Sequence, residues 1–592
     1  MIESWWMDLK YSARRLASRP AYMWLAVLTL ALGAGGTAAV VSVIRPILLE
    51  PLPYAREEGL GVFWMGGDWT EQEFLHLRPD WQGFQSVATY NQTETTLDTP
   101  GEPLRLLNVV VSSAALFQVL GAHPSMGRVF QPGDDLQGSE PVVVLSHGMW
   151  RELGGNASVL GRTLQIGGVA RTVVGVMPQG FWFPDPTTQV WIATPLDPQS
   201  RVGNYTLIGR VESNGHMDRM EGPLAAIVSR LKERFQYSEQ WDKTRAPSFT
   251  PIRESLLGGI RPALLATLAA MVLLLSMACV NASALMVGQV GGRSAELAVR
   301  AALGAGRRRI IQQIVIEALL IGALAGTAGA MLAASGYQLL VRALPLGDLA
   351  ENARLDWTLF WLAILFSLVA AAVIALIPAF VVWRGSLRNS MSGTRTGSVS
   401  PRGSKVESGL VVAQVALAVL LAAGAGLLLR SVGKLRGIDA GVRVEGVAVL
   451  DATLPPTLSM DERRRAVLDL IPHLQAIPRV SAVAVTGRLP LRGGGDSWGI
   501  EVEGKPDLPA STTYFRIVSA DYFRTLGIKV RKGRGFDATD GATTERVVVI
   551  NEALAAKYFH GEDPIGRIVL TGFPGGERVI GVVGNVAEGT LT

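Results

Sequence analysis

At 592 residues the chain is long enough for several domains, and 48% hydrophobic against 18% charged residues makes it too apolar for an ordinary soluble enzyme. Its small net charge of +5 gathers beside apolar runs, which assigns the basic residues to membrane topology rather than to nucleic-acid binding. The single cysteine, Cys279, excludes an internal disulfide and a cysteine metal cluster, and the histidines at 76, 123, 147, 216, 473 and 560 lack ligand spacing, so no metal is expected.

Residues 1–20 place Trp6, Leu9, Ala13, Leu16 and Ala17 along one helical face, with Lys10, Arg14, Arg15 and Arg19 largely elsewhere. That pattern predicts an interfacial helix on the cytoplasmic side. Residues 21–49 hold a first span, whose apolar run of about 24 residues would measure roughly 36 Å as a helix. The run is too long for a signal-peptide core and lacks a convincing cleavage site, so it reads as uncleaved.

Residues 50–261 turn richer in Pro and Gly. Strand-like pieces at 105–111, 141–145 and 171–176 and a helical pattern at 222–235 predict a mixed α/β domain outside the membrane. Residues 262–383 form a membrane block with spans at 262–290, 310–344 and 357–382. Its loop 291–309 carries Arg293, Arg300, Arg307, Arg308 and Arg309 against the single acid Glu296, which places it in the cytoplasm. Within the loop, 295–302 predicts a short amphipathic helix, with Leu297, Ala298 and Ala301 on one face and Glu296 and Arg300 four apart on another.

The turn 345–356 is acidic and suits the outside. Residues 384–409 form a basic, Gly/Ser-rich cytoplasmic linker, 410–429 a fifth span, and 430–592 a second α/β domain outside. Arg430, Lys434 and Arg436 run against that orientation, but three cytoplasmic basic clusters outvote them.

An internal repeat reorganises this reading. Phe117, Leu120, Gly121, Gly127, Arg128 and Phe130 recur as Phe523, Leu526, Gly527, Gly533, Arg534 and Phe536, all shifted by 406. The segments 142–145, 161–162 and 173–176 recur at 547–550, 566–567 and 579–582 with a shift of 405 or 406. The shared glycines are expected at positive backbone angles or close approaches. Each α/β domain follows a span, so the chain reads as about one and a half copies of a four-span unit. A completed repeat would place three more spans after Thr592.

Asn281 and Glu317 are polar groups in or near apolar spans, where such side chains turn toward protein. Glu317 reads either as a helix-to-helix hydrogen bond or as a solvated or paired group near the interface. Gly322 and Gly326, with Ala325 and Gly329 beside them, would let another helix approach closely, as in a dimer seam. Pro378 is placed to kink the fourth span. The segment 499–506 comes within one residue of a P-loop, but Pro506 replaces the magnesium-binding hydroxyl and Glu501 and Glu503 would repel phosphate, so it reads as a strand ending in a turn. No LSGGQ motif appears, and no recognisable motif anchors a catalytic triad or carboxylate pair, so an enzyme is not expected.

These residues resemble the permease subunits of the MacB/FtsX type, and in particular the duplicated acidobacterial orphan permeases. Asp8, Leu9, Arg14, Leu16, Pro20, the run Leu30-Ala31-Leu32-Gly33 and Pro51-Leu52-Pro53-Tyr54 look like that group's opening. Asn281, Glu296, Arg300, Ala302-Leu303-Gly304-Ala305, the arginine cluster and Glu317-Ala318 look like its FtsX-type signature. The resemblance implies a multi-span α-helical membrane protein of about five spans with two α/β (α+β) MacB-type periplasmic core domains. It implies a multi-pass ABC permease of the bacterial inner membrane that needs no cofactor of its own. ATP would be bound by a separate cytoplasmic ABC ATPase, whose motions the helices pass to the periplasmic domains. Glu296, Arg300, Leu303, Gly304 and Ala305 would form the ATPase-coupling helix. Further expected partners are the lipid bilayer, a second permease (a homodimer or another chain) and a periplasmic adaptor, with no nucleic acid. The departure from the family is the absence of a second complete membrane block. The alternative reading is an ATPase-independent scaffold or sensor whose outer domains bind an envelope partner.

Overall fold

The computed structural model describes residues 2–587 except 66–67, 80, 82, 102, 201–202, 213–219, 236, 238–241, 292–306, 345, 347–348, 351–354, 385–400, 437–438, 453, 455–457, 491–495, 505–510, 542–543 and 572–574. In chain order it opens with helices α1 (Ile2–Ala17) and α2 (Pro20–Ile44). There follow β1 (Leu60–Trp64), β2 (Trp69–Thr70), α3 (Glu71–Leu77), β3 (Phe84–Asp98), β4 (Arg105–Ser112), α4 (Leu116–Leu120), β5 (Met126–Gly127), β6 (Val142–Leu145) and α5 (His147–Glu152). Next come β7 (Thr163–Ile166), β8 (Val169–Val176), β9 (Val190–Ala193), β10 (Gly203–Val211), α6 (Glu221–Arg234), β11 (Ser248–Pro251) and α7 (Ile252–Leu257). Four long helices then run as α8 (Arg261–Gly291), α9 (Arg307–Ala343), α10 (Trp357–Arg384) and α11 (Pro401–Arg436). The last part holds α12 (Met460–Gln475), β12 (Asp496–Val502), β13 (Ser511–Phe515), α13 (Tyr522–Thr525), β14 (Val530–Gly533), β15 (Val547–Asn551), α14 (Glu552–Phe559), β16 (Ile568–Leu570) and β17 (Glu577–Val583).

The chain divides into two units. The first, Met1–Glu58 with Gly180–Thr188 and Pro251–Leu429, is helical. Among the described residues five helices are long and apolar enough to cross a membrane: Pro20–Leu49, Arg261–Gln289, Arg308–Ala343, Trp357–Phe380 and Ser408–Lys434. Helix α2 starts with Pro20 at its first turn, where the missing N–H goes unneeded and the fixed φ favours the helix. It runs through the middle of the block, with 72% of its most apolar window buried, whereas the window in α11 is 6% buried. The core around α2 is made of small side chains, among them Ala31, Ala38, Ala325, Ala330, Ala363 and Ala371.

Two expected boundaries move. Arg307, Arg308 and Arg309 form the first turn of α9 rather than the end of a loop. Helix α11 begins at Pro401, inside the segment read as linker, and runs to Arg436. Apolarity marks the stretch that suits lipid, and a helix continues past it wherever its backbone ladder is not broken. Pro378 lies inside α10.

The second unit carries both α/β domains. The first domain is an 11-stranded sheet in the order β11-β1-β10-β3-β4-β9-β6-β8-β5, with β2 on β10 and β7 bridging β3 and β8. One core gathers Phe63, Trp69, Phe74, Leu207 and Leu231, and another gathers Leu107, Val109, Val143, Ile166 and Val173. The second domain is a six-stranded sheet in the order β13-β12-β16-β17-β14, with β15 on β17. Its strand β12 contains 499–502 of the near P-loop segment and gives way to a turn.

The repeat is realised in three dimensions. β6 lies parallel to β8 with an irregularity between Val143 and Val144, and β15 lies parallel to β17 with one between Val548 and Val549. Gly121, Gly127 and Gly161 have φ of 63°, 73° and 78°, and their counterparts Gly527, Gly533 and Gly566 have 68°, 66° and 83°. Gly175 and Gly581 instead face the carbonyls of Arg128 and Arg534 so closely that neither leaves room for a Cβ.

Side-chain caps repeat as well. Ser146 accepts from Met149 N–H ahead of α5, as Asn551 accepts from Leu554 N–H ahead of α14. Thr70 with Glu73 and Ser459 with Glu462 close capping boxes on α3 and α12. Arg128 clasps Asp134 at 2.6 Å and Arg534 clasps Asp540 at 2.6 Å. Hydrogen bonding from Arg534 holds the Asp540 carboxyl below the ordinary carboxylate range.

Candidate functional site

The helical block is built for backbone-to-backbone contact. A Cβ added at Gly35 of α2 would lie 2.5 Å from the Gly329 carbonyl oxygen on α9, and one at Gly33 would lie 3.1 Å from Leu275 Cα on α8. On the far side of α9, a Cβ at Gly322 would lie 2.6 Å from Ala371 Cβ, and one at Gly326 would lie 2.9 Å from Ile364 Cα, both on α10. The small residues therefore set the helix spacing. Gly322 and Gly326 face α10 of the same chain, so their close-approach partner is intramolecular and not the seam of a dimer.

Two buried hydroxyls fasten these contacts. Ser367 on α10 donates to the Gly322 carbonyl at 2.7 Å. Thr37 on α2 donates to the Gly33 carbonyl at 2.8 Å and lies 3.2 Å from the Met271 carbonyl on α8. Interhelical bonds of this kind hold apolar helices that gain nothing from expelling water.

A clamp sits where α2 ends. The chain continues through a π turn at Arg45–Leu49, and Arg253 of α7 reaches back to it. The Arg253 guanidinium donates to the Leu48 carbonyl at 2.9 Å, to the Glu50 carbonyl at 2.8 Å and to the Glu57 carboxylate at 2.8 Å. Glu57 also accepts from Leu52 N–H at 2.9 Å. A planar guanidinium suits this task because its five donors lie in one fixed fork. Arg45 pairs with Glu50 at 3.2 Å and reaches Thr358 Oγ1, at the head of α10, at 3.2 Å. Tyr54 meets the rings of Phe181, Trp182 and Phe183 edge-on and donates its hydroxyl to the Trp182 carbonyl at 3.0 Å. These contacts tie the end of α2 to α7, which leads into α8, and to the head of α10.

The expected intramembrane polar residues separate. Glu317 is 4% exposed within α9, so it is buried rather than solvated. Asn281 on α8 is half-buried and lines a cleft of about 530 Å³ with Leu25, Thr29, Leu285, Gln289 and Gln414. The coupling-helix residues Glu296, Arg300, Leu303, Gly304 and Ala305 lie outside the described residues. Among the described residues no group of three or more His, Cys, Asp or Glu is placed to hold a metal ion. Among the described residues the arrangement consists of tight helix seams and a clamp at the end of α2.

The MacB-like periplasmic core domain pattern matches residues 23–227 and again 408–591, and the FtsX-like permease C-terminal pattern matches residues 266–390. The chain belongs to the MacB/FtsX permease family. Both core-domain matches begin inside a long helix, α2 in the first and α11 in the second, so these two helices are the same element of the repeat.

The permease is 25% identical over 323 residues to the macrolide export ATP-binding/permease protein MacB of Chromobacterium violaceum, covering 50% of this chain and 48% of that one. The MacB protein of Agrobacterium fabrum is 24% identical over 318 residues, covering 51% and 46%. The chain thus spans about half the length of the curated relatives it matches. Among solved structures, the periplasmic region of MacB from Actinobacillus actinomycetemcomitans aligns at 15% identity and a TM-score of 0.27, covering 37% of this chain and 95% of that one. The extracellular domain of the noncanonic ABC-type transporter YknZ from Gram-positive bacteria aligns at 18% identity and a TM-score of 0.24, covering 29% and 93%.

Proposed function

We propose that this permease is the membrane subunit of an ABC-type system in which a separate cytoplasmic ATPase drives motion of the two α/β domains, for export or for mechanical work on an envelope partner. In this reading the five long helices are spans, the N-terminus and the loop 291–309 face the cytoplasm, and both core domains are periplasmic. The basic residues beside the inner ends of the helices support that orientation. The observation that carries the reading is the joining of an FtsX-like block to two MacB-like core domains in one chain, with Arg253 fastening the outer end of α2 to α7. Such a joint passes displacement along the helices instead of absorbing it. The export role follows the naming of the MacB relatives, and the small-residue seams support helices that move as one body.

In the coupling helix, Glu296 and Arg300 would receive the ATPase's push. The test is purification of the tagged full chain from native membranes in mild detergent. A co-purifying ABC ATPase whose hydrolysis is coupled to the permease is expected, and Glu296→Ala or Arg300→Ala should uncouple it while the protein remains folded. Repeated absence of any ATPase would favour the scaffold reading, and unchanged coupling in both variants would remove the coupling-helix assignment.

A further inference from the structure

The two core domains share a backbone pattern and differ in charge along one edge. Strand β5 ends the first sheet and β14 ends the second, each antiparallel to its neighbour, β8 or β17. Under the repeat's shift of 406, Gln118, His123, Ser125 and Met126 correspond to Arg524, Lys529, Arg531 and Lys532. The clasp arginines Arg128 and Arg534 are common to both. Four Lys or Arg side chains therefore stand on or beside β14 where the first domain has none. The fold does not require them, because the first domain builds the same edge without them.

This edge is open in both copies. Gln118, His123 and Ser125 are exposed, as are Arg524, Lys529, Arg531 and Lys532. Two of the cations have acidic neighbours: Arg524 meets Asp521 at 3.0 Å and Arg531 meets Glu552 at 3.5 Å. Arg443 adds a further charge at the same place. Its N–H donates to the Leu526 carbonyl at 2.6 Å, and a Cβ on Gly527 would lie 3.2 Å from the Arg443 Cβ. Among the described residues Arg443, Lys529 and Lys532 form no ion pair. Lysine on an edge strand commonly serves to keep other strands from pairing with it. That role does not call for Arg443, which lies outside the sheet, or for the cations that precede it in the chain.

Those cations are Arg430 and Lys434, exposed in the last turns of α11, which belong to the same unit as the second domain. From Arg436, where α11 ends, to Gly441 is five residues. An extended chain of that length spans at most about 18 Å. Residues 440–442 are already seated in the domain: Ala440 accepts from Ala587 N–H at 3.0 Å, and Val442 packs against the cluster of Tyr522, Leu526 and Ile528. The basic edge of the second domain is thus beside the point where α11 delivers the chain. Apolar side chains stand among the cations, with Val444 71% and Val530 42% exposed. Cations interspersed with exposed apolar groups next to the end of a span have the composition of a surface that lies on lipid headgroups.

We infer that the second core domain carries a binding surface for anionic phospholipid headgroups, formed by Arg443, Lys529, Arg531 and Lys532 together with Arg430 and Lys434 at the end of α11. The inference rests on the reading of α11 as a span with the core domains outside. It accounts for the one basic cluster that runs against that orientation, since phosphodiester groups on the outer surface neutralise it. The cations supply the attraction, and Val444 and Val530 enter the headgroup layer. The first domain, neutral at the equivalent positions, makes no such contact.

The test uses the full chain in a Cys279→Ser background, with Val530→Cys carrying a nitrobenzoxadiazole fluorophore. It is reconstituted in nanodiscs of phosphatidylcholine alone or of equal parts phosphatidylcholine and phosphatidylglycerol, each with a headgroup-spin-labelled lipid as quencher. Each cation at an anionic surface favours contact roughly fivefold, so quenching is expected to rise about twofold or more with phosphatidylglycerol. The rise should vanish when Lys529→Gln, Arg531→Gln and Lys532→Gln are combined, and should fall as salt is added to the unsubstituted chain, an arm that needs no substitution at the basic edge. The same label at Ser125→Cys should not respond to phosphatidylglycerol. Quenching that ignores phosphatidylglycerol, that survives both the triple substitution and salt, or that rises equally at Ser125→Cys overturns the inference. Labelling of Val530→Cys with a membrane-impermeant maleimide in cells with a permeabilised outer membrane separates this from the orientation beneath it. Reaction from outside with quenching that ignores phosphatidylglycerol removes the lipid surface and leaves the orientation standing, whereas reaction only after lysis overturns both.

Discussion

Replacing Gly35 by alanine tests the packing logic of the helical block, because a twin position lacks the constraint. The motif Leu30-Ala31-Leu32-Gly33-Ala34-Gly35 of α2 recurs in α11 as Leu421-Ala422-Ala423-Gly424-Ala425-Gly426. The new methyl at Gly35 would lie 2.5 Å from the Gly329 carbonyl oxygen and 2.9 Å from its Cα, whereas at Gly426 nothing lies within 4 Å. Ordinary contact of nonbonded carbon needs about 3.5 Å, so α2 and α9 must part by up to about 1 Å along a seam that is backbone on both sides. Overpacking of that kind costs about 1–3 kcal/mol. At about 2–4 °C per kcal/mol, the melting temperature of Gly35→Ala in nanodiscs should fall by roughly 2–12 °C. Gly33→Ala, where the nearest atom would be 3.1 Å away, should fall less, and Gly426→Ala should stay within about 1 °C or rise through better helix propensity. Equal shifts at Gly35 and Gly426, or none at Gly35, would refute the claim that this seam sets the helix spacing.

Three further predictions follow from named contacts. Arg253→Ala should destabilise by about 1–3 kcal/mol, because the Leu48 and Glu50 carbonyls and the Glu57 carboxylate lose a shared donor, and Arg253→Lys should recover only part of it in the same melting assay. Ser367→Ala should cost about 0.6 kcal/mol through the lost bond to Gly322, and coupling to Gly322→Ala in a double-mutant cycle checks that the two act at one place. Because Arg534 lowers the folded-state pKa of Asp540, the clasp stabilises fully above the unfolded carboxylate value of about 4 and loses that contribution as pH falls through the lower folded value. The melting gap between the native chain and Asp540→Asn should therefore close on acidification, and a gap that widens would contradict the clasp.

The long helices were readable because apolar runs of span length have few alternatives, and the repeat was readable because its glycines answer to backbone geometry. Gly127 and Gly533 adopt the same left-handed angle for the same reason, so their spacing survived where the surrounding sequence changed. The clamp was not readable. Arg253 and Glu57 are 196 residues apart, and each alone resembles an ordinary charged residue near a helix end. Gly322 and Gly326 announced a close helix approach in the sequence, but only the packing identifies the approaching helix as α10. Apolarity also misplaced the start of α11, whose polar first turns at 401–409 are helical without being lipid-like.

The central claim is that nucleotide turnover on a separate ATPase moves the core domains through the helical block. The direct measurement places spin labels at Gln199→Cys and Ala556→Cys, both exposed, in a Cys279→Ser background, and records their distance distribution in nanodiscs with the ATPase present. The account predicts a distribution that shifts between the nucleotide-free and ATP-bound states, with the shift lost in Arg253→Ala while hydrolysis continues. Superimposable distributions in a preparation that hydrolyses ATP would contradict it.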